Sequence, residues 1–246
     1  MRLLLSGATG VAGLNIYRAA LTDPAIERIT LIHRREIPSW AVLPPNAAEK
    51  TTTIIHTDFI SYSKDLVAQL VQHDACVWAL GISSVGMSEA DYTRITYEYP
   101  IAMVKALAEG GVGKNRPVDK PFRFVYISGN GASTESKQMW AQVKGRAEDE
   151  INATCSATPG MQAHNLRPGV FIPSSLYPED AKHQRSWGEN VLGAILVPIM
   201  KLGAPNLLIT AEQLATSVLA IAKGLYPDER LTSNKQMRII ARKVTA

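Results

Sequence analysis

The chain has 246 residues, 46% of them apolar, and a formal net charge of +4. That length fits one large α/β domain over residues 1–246, and the composition excludes a disordered chain or a fixed-period repeat. Two cysteines, Cys76 and Cys155, stand outside any CxxC or Cys/His spacing, which excludes a disulfide framework and a zinc site; the basic residues are scattered without interleaved aromatics, which excludes nucleic acid.

Leu3–Ser6 reads as a buried strand. Gly7, Gly10 and Gly13 follow it, and a helical pattern runs from Val11 to Leu21. Further strands are predicted at Ile29–His33, Thr52–His56, Ala75–Leu80, Phe122–Ser128 and Gln162–Leu166. Helices are predicted at Ser63–Gln72, Glu89–Ala108 and Glu135–Cys155, with an exposed connection over Gly110–Pro121. This alternation predicts a doubly wound parallel sheet, a Rossmann fold, with a small C-terminal substrate-binding region. Substrate-region insertions fall at about 171–210. Within them Pro173–Gln184 reads as a loop over the site. Val191–Met200 is the longest apolar stretch; at about half a spanning length it predicts no integral membrane segment. A helix over Ala211–Ala222 then leads to a short edge strand near Met237–Ile240. Three leucines before the glycine turn are too few for a signal-peptide core. With the cysteine usage this predicts a cytoplasmic protein.

The opening strand, glycine turn and helix start form the phosphate-binding entry of a dinucleotide fold. Gly7 permits the tight turn, Gly10 the approach of a pyrophosphate, and Gly13 close packing of helix on strand. Thr9 and Val11 lie in the same turn, whose amides face the phosphates. Arg34 falls 21 residues after Gly13 and Arg35 follows it. Arginine at that position pairs with a 2′-phosphate where a carboxylate would hold a 2′-hydroxyl, so NADP(H) is expected; Glu36 lies close enough to compete. Asp58 is expected to meet the adenine amino group, with Phe59 beneath the strand. Leu80 and Gly81 are expected to pass close to the cofactor.

Ser6-Gly7-Ala8-Thr9-Gly10, Leu31-Ile32-His33-Arg34-Arg35, Ala79-Leu80-Gly81, Val143-Lys144-Gly145 and Leu166-Arg167-Pro168-Gly169 together resemble the atypical short-chain dehydrogenase/reductases of the GATGxxG type. Within them the chain is similar to oxidoreductase-like proteins of the Tat-interacting-protein type and, more loosely, to truncated nucleoside-diphosphate-sugar epimerases. The resemblance runs from Arg2 to about Ala222. It implies that Pro168, Gly169 and Val170 line the nicotinamide end, with Arg167 structural, and that chemistry rests on a Tyr-x-x-x-Lys pair. In that pair the Tyr moves the proton, while the Lys lowers its pKa and holds the nicotinamide ribose. Here the pair is Trp140 and Lys144, and indole has no proton to transfer near neutral pH. Thr96 stands where the family's helix-four Asn is expected, and Ser128 ends the fifth strand as the polarising hydroxyl.

Three functions stay open at this point. The first is an NADP(H)-dependent reductase acting on a small hydrophobic carbonyl or alcohol, its proton supplied by Ser128, Tyr177, His183 or a water held by Lys144. The second is a non-redox isomerase, lyase or cyclase, and the third a catalytically silent NADPH-responsive binding protein. A hydrophobic substrate is read from Leu176, Trp187, Val191, Leu192, Ile195 and Leu196. The chain is expected to be a monomer or a homodimer paired through the fourth and fifth helices.

Overall fold

The structure is a computed structural model that describes residues 1–184, 200 and 203–245. Seven parallel strands form its central sheet in the order β3-β2-β1-β4-β5-β6-β9. They are β1 Arg2–Ser6, β2 Arg28–His33, β3 Thr51–Ile55, β4 Ala75–Trp78, β5 Phe122–Ile127, β6 Met161–Arg167 and β9 Leu231–Ser233. Chain order reverses between β1 and β4, and a crevice opens there beyond the strands' carboxyl ends.

Leu3, Leu4 and Leu5 of the central strand are all buried, as a parallel sheet covered on both faces requires. Leu3 and Leu5 join the core under α1 (Val11–Thr22) and α8 (Ala211–Ala222). Leu4 joins the opposite core, with Trp78, Phe124 and Tyr126, under α5 (Tyr99–Glu109) and α6 (Met139–Ala157). Short helices α2 (Ala47–Lys50) and α3 (Lys64–Leu70) complete the first half.

The predicted helix over Glu89–Ala108 is divided. Helix α4 (Glu89–Thr93) passes through a π-turn, Arg94–Glu98, into α5. Pro100 brings no N–H to the Thr96 carbonyl one turn back, and the Tyr126 hydroxyl, buried and held protonated by that burial, donates to that carbonyl at 3.0 Å. The helix predicted over Glu135–Cys155 begins at Met139, after a turn in which Ser136 Oγ accepts the Gln138 amide.

The C-terminal third corrects the sequence reading. Beyond β6 come β7 (Val170–Ile172) and β8 (Leu208–Thr210), paired parallel to each other. Pro173–Gln184 ends in a short helix, α7 (Asp180–Gln184). The edge strand is Leu231–Ser233, and Met237–Ile240 lies inside helix α9 (Asn234–Thr245). Met237, Ile240 and Ala241 are buried at helical spacing, so a period of 3.6 governs the segment where a strand was expected. Residues 191–199 of the apolar stretch fall outside the described residues, as do Trp187, Val191, Leu192, Ile195 and Leu196.

Candidate active site

The turn after β1 is built by two glycines. Gly7 adopts φ 76°, and a Cβ there would strike the backbone of Ala79 and Leu80 across the β1/β4 crevice. A Cβ at Gly13 would strike the Gly7 carbonyl, so α1 reaches its strand only with glycine there. Gly10 precedes α1 without a side-chain cap, and no carboxylate stands in the first turn. Those amides and the positive end of the helix dipole remain available to an anion.

A cleft of about 110 Å³ opens over this turn, with Gly7, Thr9, Gly10, Arg34, Arg35, Leu80 and Gly81 in its walls. Seven of the residues expected to hold a dinucleotide are thus brought together. His33, Ala79, Ile82 and Ile95 line it as well and were missed. His33 is only 3% exposed, both its ring nitrogens lack a partner, and burial lowers its pKa. The period of two along β2 could have placed it on the same face as Ile29 and Leu31, next to the arginine pair.

Two residues leave the expected set. Asp58 lies exposed after β3, where its Oδ1 accepts the Ile60 amide at 3.1 Å and closes a turn; it is not among the cleft-lining residues. Phe59 is fully buried and packs edge-on against Trp78, so its ring belongs to the core beneath the sheet.

The second part of the site lies at the ends of β5 and β6. Trp140 and Lys144 are one turn apart on α6, and both side chains lie over Gly129. Lys144 Nζ donates to the carbonyls of Ser128 at 3.1 Å and Ile127 at 3.4 Å. Burial pushes its ammonium down to about 8, against the opposing pull of Glu148 one turn on. Ser128 is buried, and its hydroxyl has no protein partner. Arg167 pairs with Glu148, Nε to Oε1 2.9 Å, which gives it the structural role expected. Asn234 Oδ1 accepts the Gly169 amide at 2.8 Å and sets the Pro168–Val170 turn. That tie spans 65 residues and could not be read from local pattern.

Tyr177 and His183 do not join Lys144. Tyr177 lies against the Arg18 guanidinium, 3.6 Å from carbon to ring centre, on the α1 face of the sheet; α6 covers the other face. That contact holds the face of the ring. His183 stacks on Trp40 at 4.7 Å. A larger groove, about 740 Å³, lies at the amino ends of β5 and β6, at the opposite end of the strands from the crevice.

The solved structures include an oxidoreductase of the short-chain dehydrogenase/reductase family from Burkholderia thailandensis (TM-score 0.64, 13% identity, 99% of this chain and 96% of that one). The chain has the short-chain dehydrogenase/reductase fold. The PhqB reductase domain of Penicillium fellutanum shares this fold at TM-score 0.65 and 13% identity, over 94% of this chain and 66% of that one. MoeE5 in complex with UDP-glucuronic acid and NAD matches at TM-score 0.64 and 12% identity, over 95% and 75%. No family model matches the chain.

Among curated proteins, leucinostatins biosynthesis cluster protein T of Purpureocillium lilacinum is 27% identical over 151 residues, 61% of this chain and 51% of that protein. The mitochondrial protein FMP52 of Candida albicans is 29% identical over 152 residues, 61% and 60%. These matches span only half to three fifths of the curated relatives' lengths. The cytoplasmic location expected from the sequence is overturned, because the FMP52 relatives are named as mitochondrial proteins. Buried free thiols at Cys76 and Cys155 speak for a reducing environment and do not choose between compartments. Among the described residues, no helix is long and apolar enough to cross a membrane.

Proposed function

We propose that the chain is a mitochondrial NADP(H)-dependent reductase of the short-chain dehydrogenase/reductase type, acting on a small apolar carbonyl compound, with Lys144 and Ser128 replacing the usual tyrosine as proton source. The observation that carries this reading is the pairing of an open dinucleotide cleft with a buried lysine whose ammonium gives up its proton near pH 8.

The residues present fit the cofactor. The uncapped start of α1 would hold its pyrophosphate, Arg34 and Arg35 the adenosine end, and Lys144 with the Pro168–Val170 turn the nicotinamide end. When bound and reduced, the cofactor supplies hydride to a carbonyl carbon. Ser128 Oγ is oriented by its place at the end of β5, and its unpartnered hydroxyl donates a proton to the developing alkoxide. A water held by Lys144, whose Nζ is fixed on the Ser128 carbonyl, returns that proton to Oγ; Lys144 replaces the water's proton and is itself reprotonated from solvent. Both groups are held by backbone carbonyls or strand geometry, so little reorganisation accompanies the transfer. Trp140 closes the site with an apolar ring and excludes water from the space that a tyrosine hydroxyl would otherwise occupy.

The test is a titration with NADPH and NADH followed by intrinsic tryptophan fluorescence, then a panel of small aldehydes and ketones followed by loss of reduced-nicotinamide absorbance. Tight NADPH binding with oxidation by apolar carbonyls is expected. Binding without oxidation across the panel sinks the reductase reading. Because Trp140 removes the family's acid, a second reading stands beside it, non-redox chemistry on the same fold. It is distinguished by product formation at constant nicotinamide absorbance.

A further inference from the structure

The two edges of the seven-stranded sheet are finished differently. At one, β9 is only three residues long, and the Ser233 amide donates to Gln236 Oε1 at 2.8 Å. A short strand with its backbone engaged is one way that natural sheets protect an edge. The β3 edge has no such device. Its residues Thr51, Thr52, Thr53, Ile54 and Ile55 are all β-branched, with no charge and no proline among them.

The backbone of β3 is open on its outer side. The His56 amide donates to the His33 carbonyl at 2.9 Å, which fixes the phase of the ladder to β2. Backbone groups of alternate residues face alternate sides of a strand, so those of Thr52 and Ile54 face β2 as well. The amides and carbonyls of Thr51, Thr53 and Ile55 point outward, and none has a partner among the described residues. Thr52, Thr53 and Ile55 are exposed, Ile55 at 48%.

The side chains that could guard this edge are turned away from it. Lys50 directly precedes the strand, yet its Nζ caps α1, donating to the carbonyls of Ala20, Leu21 and Asp23 at 2.7–2.9 Å. His56 directly follows the strand, with its ring stacked on Tyr62 and Nε2 3.0 Å from the Ser61 carbonyl.

We infer that β3 is the docking surface for a second copy of this chain, the two strands running antiparallel about a two-fold axis at Thr53. That register sets Thr53 opposite its own copy and Thr51 opposite Ile55 of the partner subunit. All of these are hydrogen-bonded pairs of an antiparallel ladder, so the outward groups of both copies are satisfied together, by about six bonds. An axis at Thr52 or at Ile54 leaves Ile55 or Thr51 overhanging the partner's strand. An uncharged strand also meets its own copy without like charges opposed. None of the clefts named above is lined by a β3 residue, so the edge lacks the side-chain pockets by which a sheet selects a foreign peptide. The dinucleotide crevice stays open in the pair, because β2 stands between it and β3. This face is not the one expected from the sequence, where pairing ran through the fourth and fifth helices. The pairing is short, so the association is weak, with a Kd on the order of tens of micromolar.

The test is sedimentation velocity on the full chain from about 5 to 500 µM, a range that brackets such a Kd. A concentration-dependent monomer–dimer equilibrium is expected. Thr53→Pro removes an outward amide and no bond to β2, so the strand survives it. Dimerisation is expected to weaken by about tenfold or more at a near-native Tm. Thr53→Cys gives an independent readout that leaves the backbone intact. Cys76 and Cys155 are buried, so the introduced thiol is the accessible one. Cα atoms of a hydrogen-bonded antiparallel pair lie about 5.5 Å apart, within disulfide reach. Mild oxidation of Thr53→Cys is expected to give a covalent dimer, and Thr52→Cys, offset from its own copy in this register, far less of one. A dimer that Thr53→Pro leaves as strong as the native one belongs to another face and overturns the inference. A Thr53→Cys protein that stays monomeric on oxidation overturns it too. So does a native chain that is monomeric at every concentration, which would leave the edge to a foreign strand or to none.

Discussion

In the proposed reductase the side chain that decides the chemistry is Lys144. Tyr-x-x-x-Lys enzymes use the lysine to lower the tyrosine's pKa; here position 140 carries an indole, which shares the space over Gly129 with the lysine. Its burial lowers its own pKa to about 8. An acid poised there is protonated below that pH and spent above it. The reductase rate is therefore expected to be level below about pH 8 and to fall roughly tenfold per unit above it. Lys144→Met is expected to lower kcat by about 10²–10³ and to remove that limb. A Lys144→Met protein with the native pH profile eliminates the lysine as proton source. Trp140→Tyr restores the missing hydroxyl one turn from Lys144. A gain in kcat is expected, and no gain in an NADPH-binding variant would place the fault in the substrate pocket or at Thr96.

At the scale of elements, the β1–turn–α1 unit carries the cofactor argument, and it was also the most legible part of the sequence. Apolar period, glycine spacing and position all point the same way there, because each constraint is local. Gly13→Ala tests it. The added methyl meets the Gly7 carbonyl, a rigid backbone atom, so α1 must move away from β1. Overpacking of this kind costs about 1–3 kcal/mol, which lowers Tm by roughly 2–12 °C at this chain length. NADPH affinity is expected to drop about tenfold or more, because the α1 amides shift with the helix. Native affinity at native Tm would show that the turn tolerates a side chain and that the close-packing argument is wrong. What stayed hidden in the sequence depends on contacts between distant residues. Arg18 and Asp180 are 162 positions apart, and their pairing ties α7, which carries His183, to α1. Phe59 lies beneath the strand as its spacing from β3 implied, and the same spacing could not show that Asp58 Oδ1 turns back onto the Ile60 amide. At Met237–Ile240 a short apolar run looked the same as strand or helix until its buried spacing was known.

Across the whole molecule, both faces of the sheet are sealed by apolar cores, and polar groups trapped between the layers make the fold sensitive to acid. His164 on β6 is fully buried. Burial pushes its pKa down to about 4, with Arg230 and Arg123 adding to the shift and the Glu229 carbonyl, 2.9 Å from Nδ1, opposing it. His33 and His73 are lowered in the same direction by the same cause. The unfolded chain binds a proton at His164 near pH 6.5, whereas the folded chain does so only near 4. Between those values the unfolded state holds more protons, so stability is intact above about pH 6.5 and is lost as pH falls toward 4. His164 alone accounts for roughly 3 kcal/mol across that window. Urea unfolding at pH 7, 6, 5 and 4.5 is expected to show this loss. His164→Asn keeps a donor for the Glu229 carbonyl but cannot titrate, so it should be somewhat less stable at pH 7. Its stability should also fall by about 1.4 kcal/mol less per pH unit below 6 than the native protein's. A native slope in His164→Asn would mean that the imidazole charges in the folded state as readily as in the unfolded one. The layer between β6 and the Glu229–Arg230 turn would then be open to water, and the sealed core on that face would not hold.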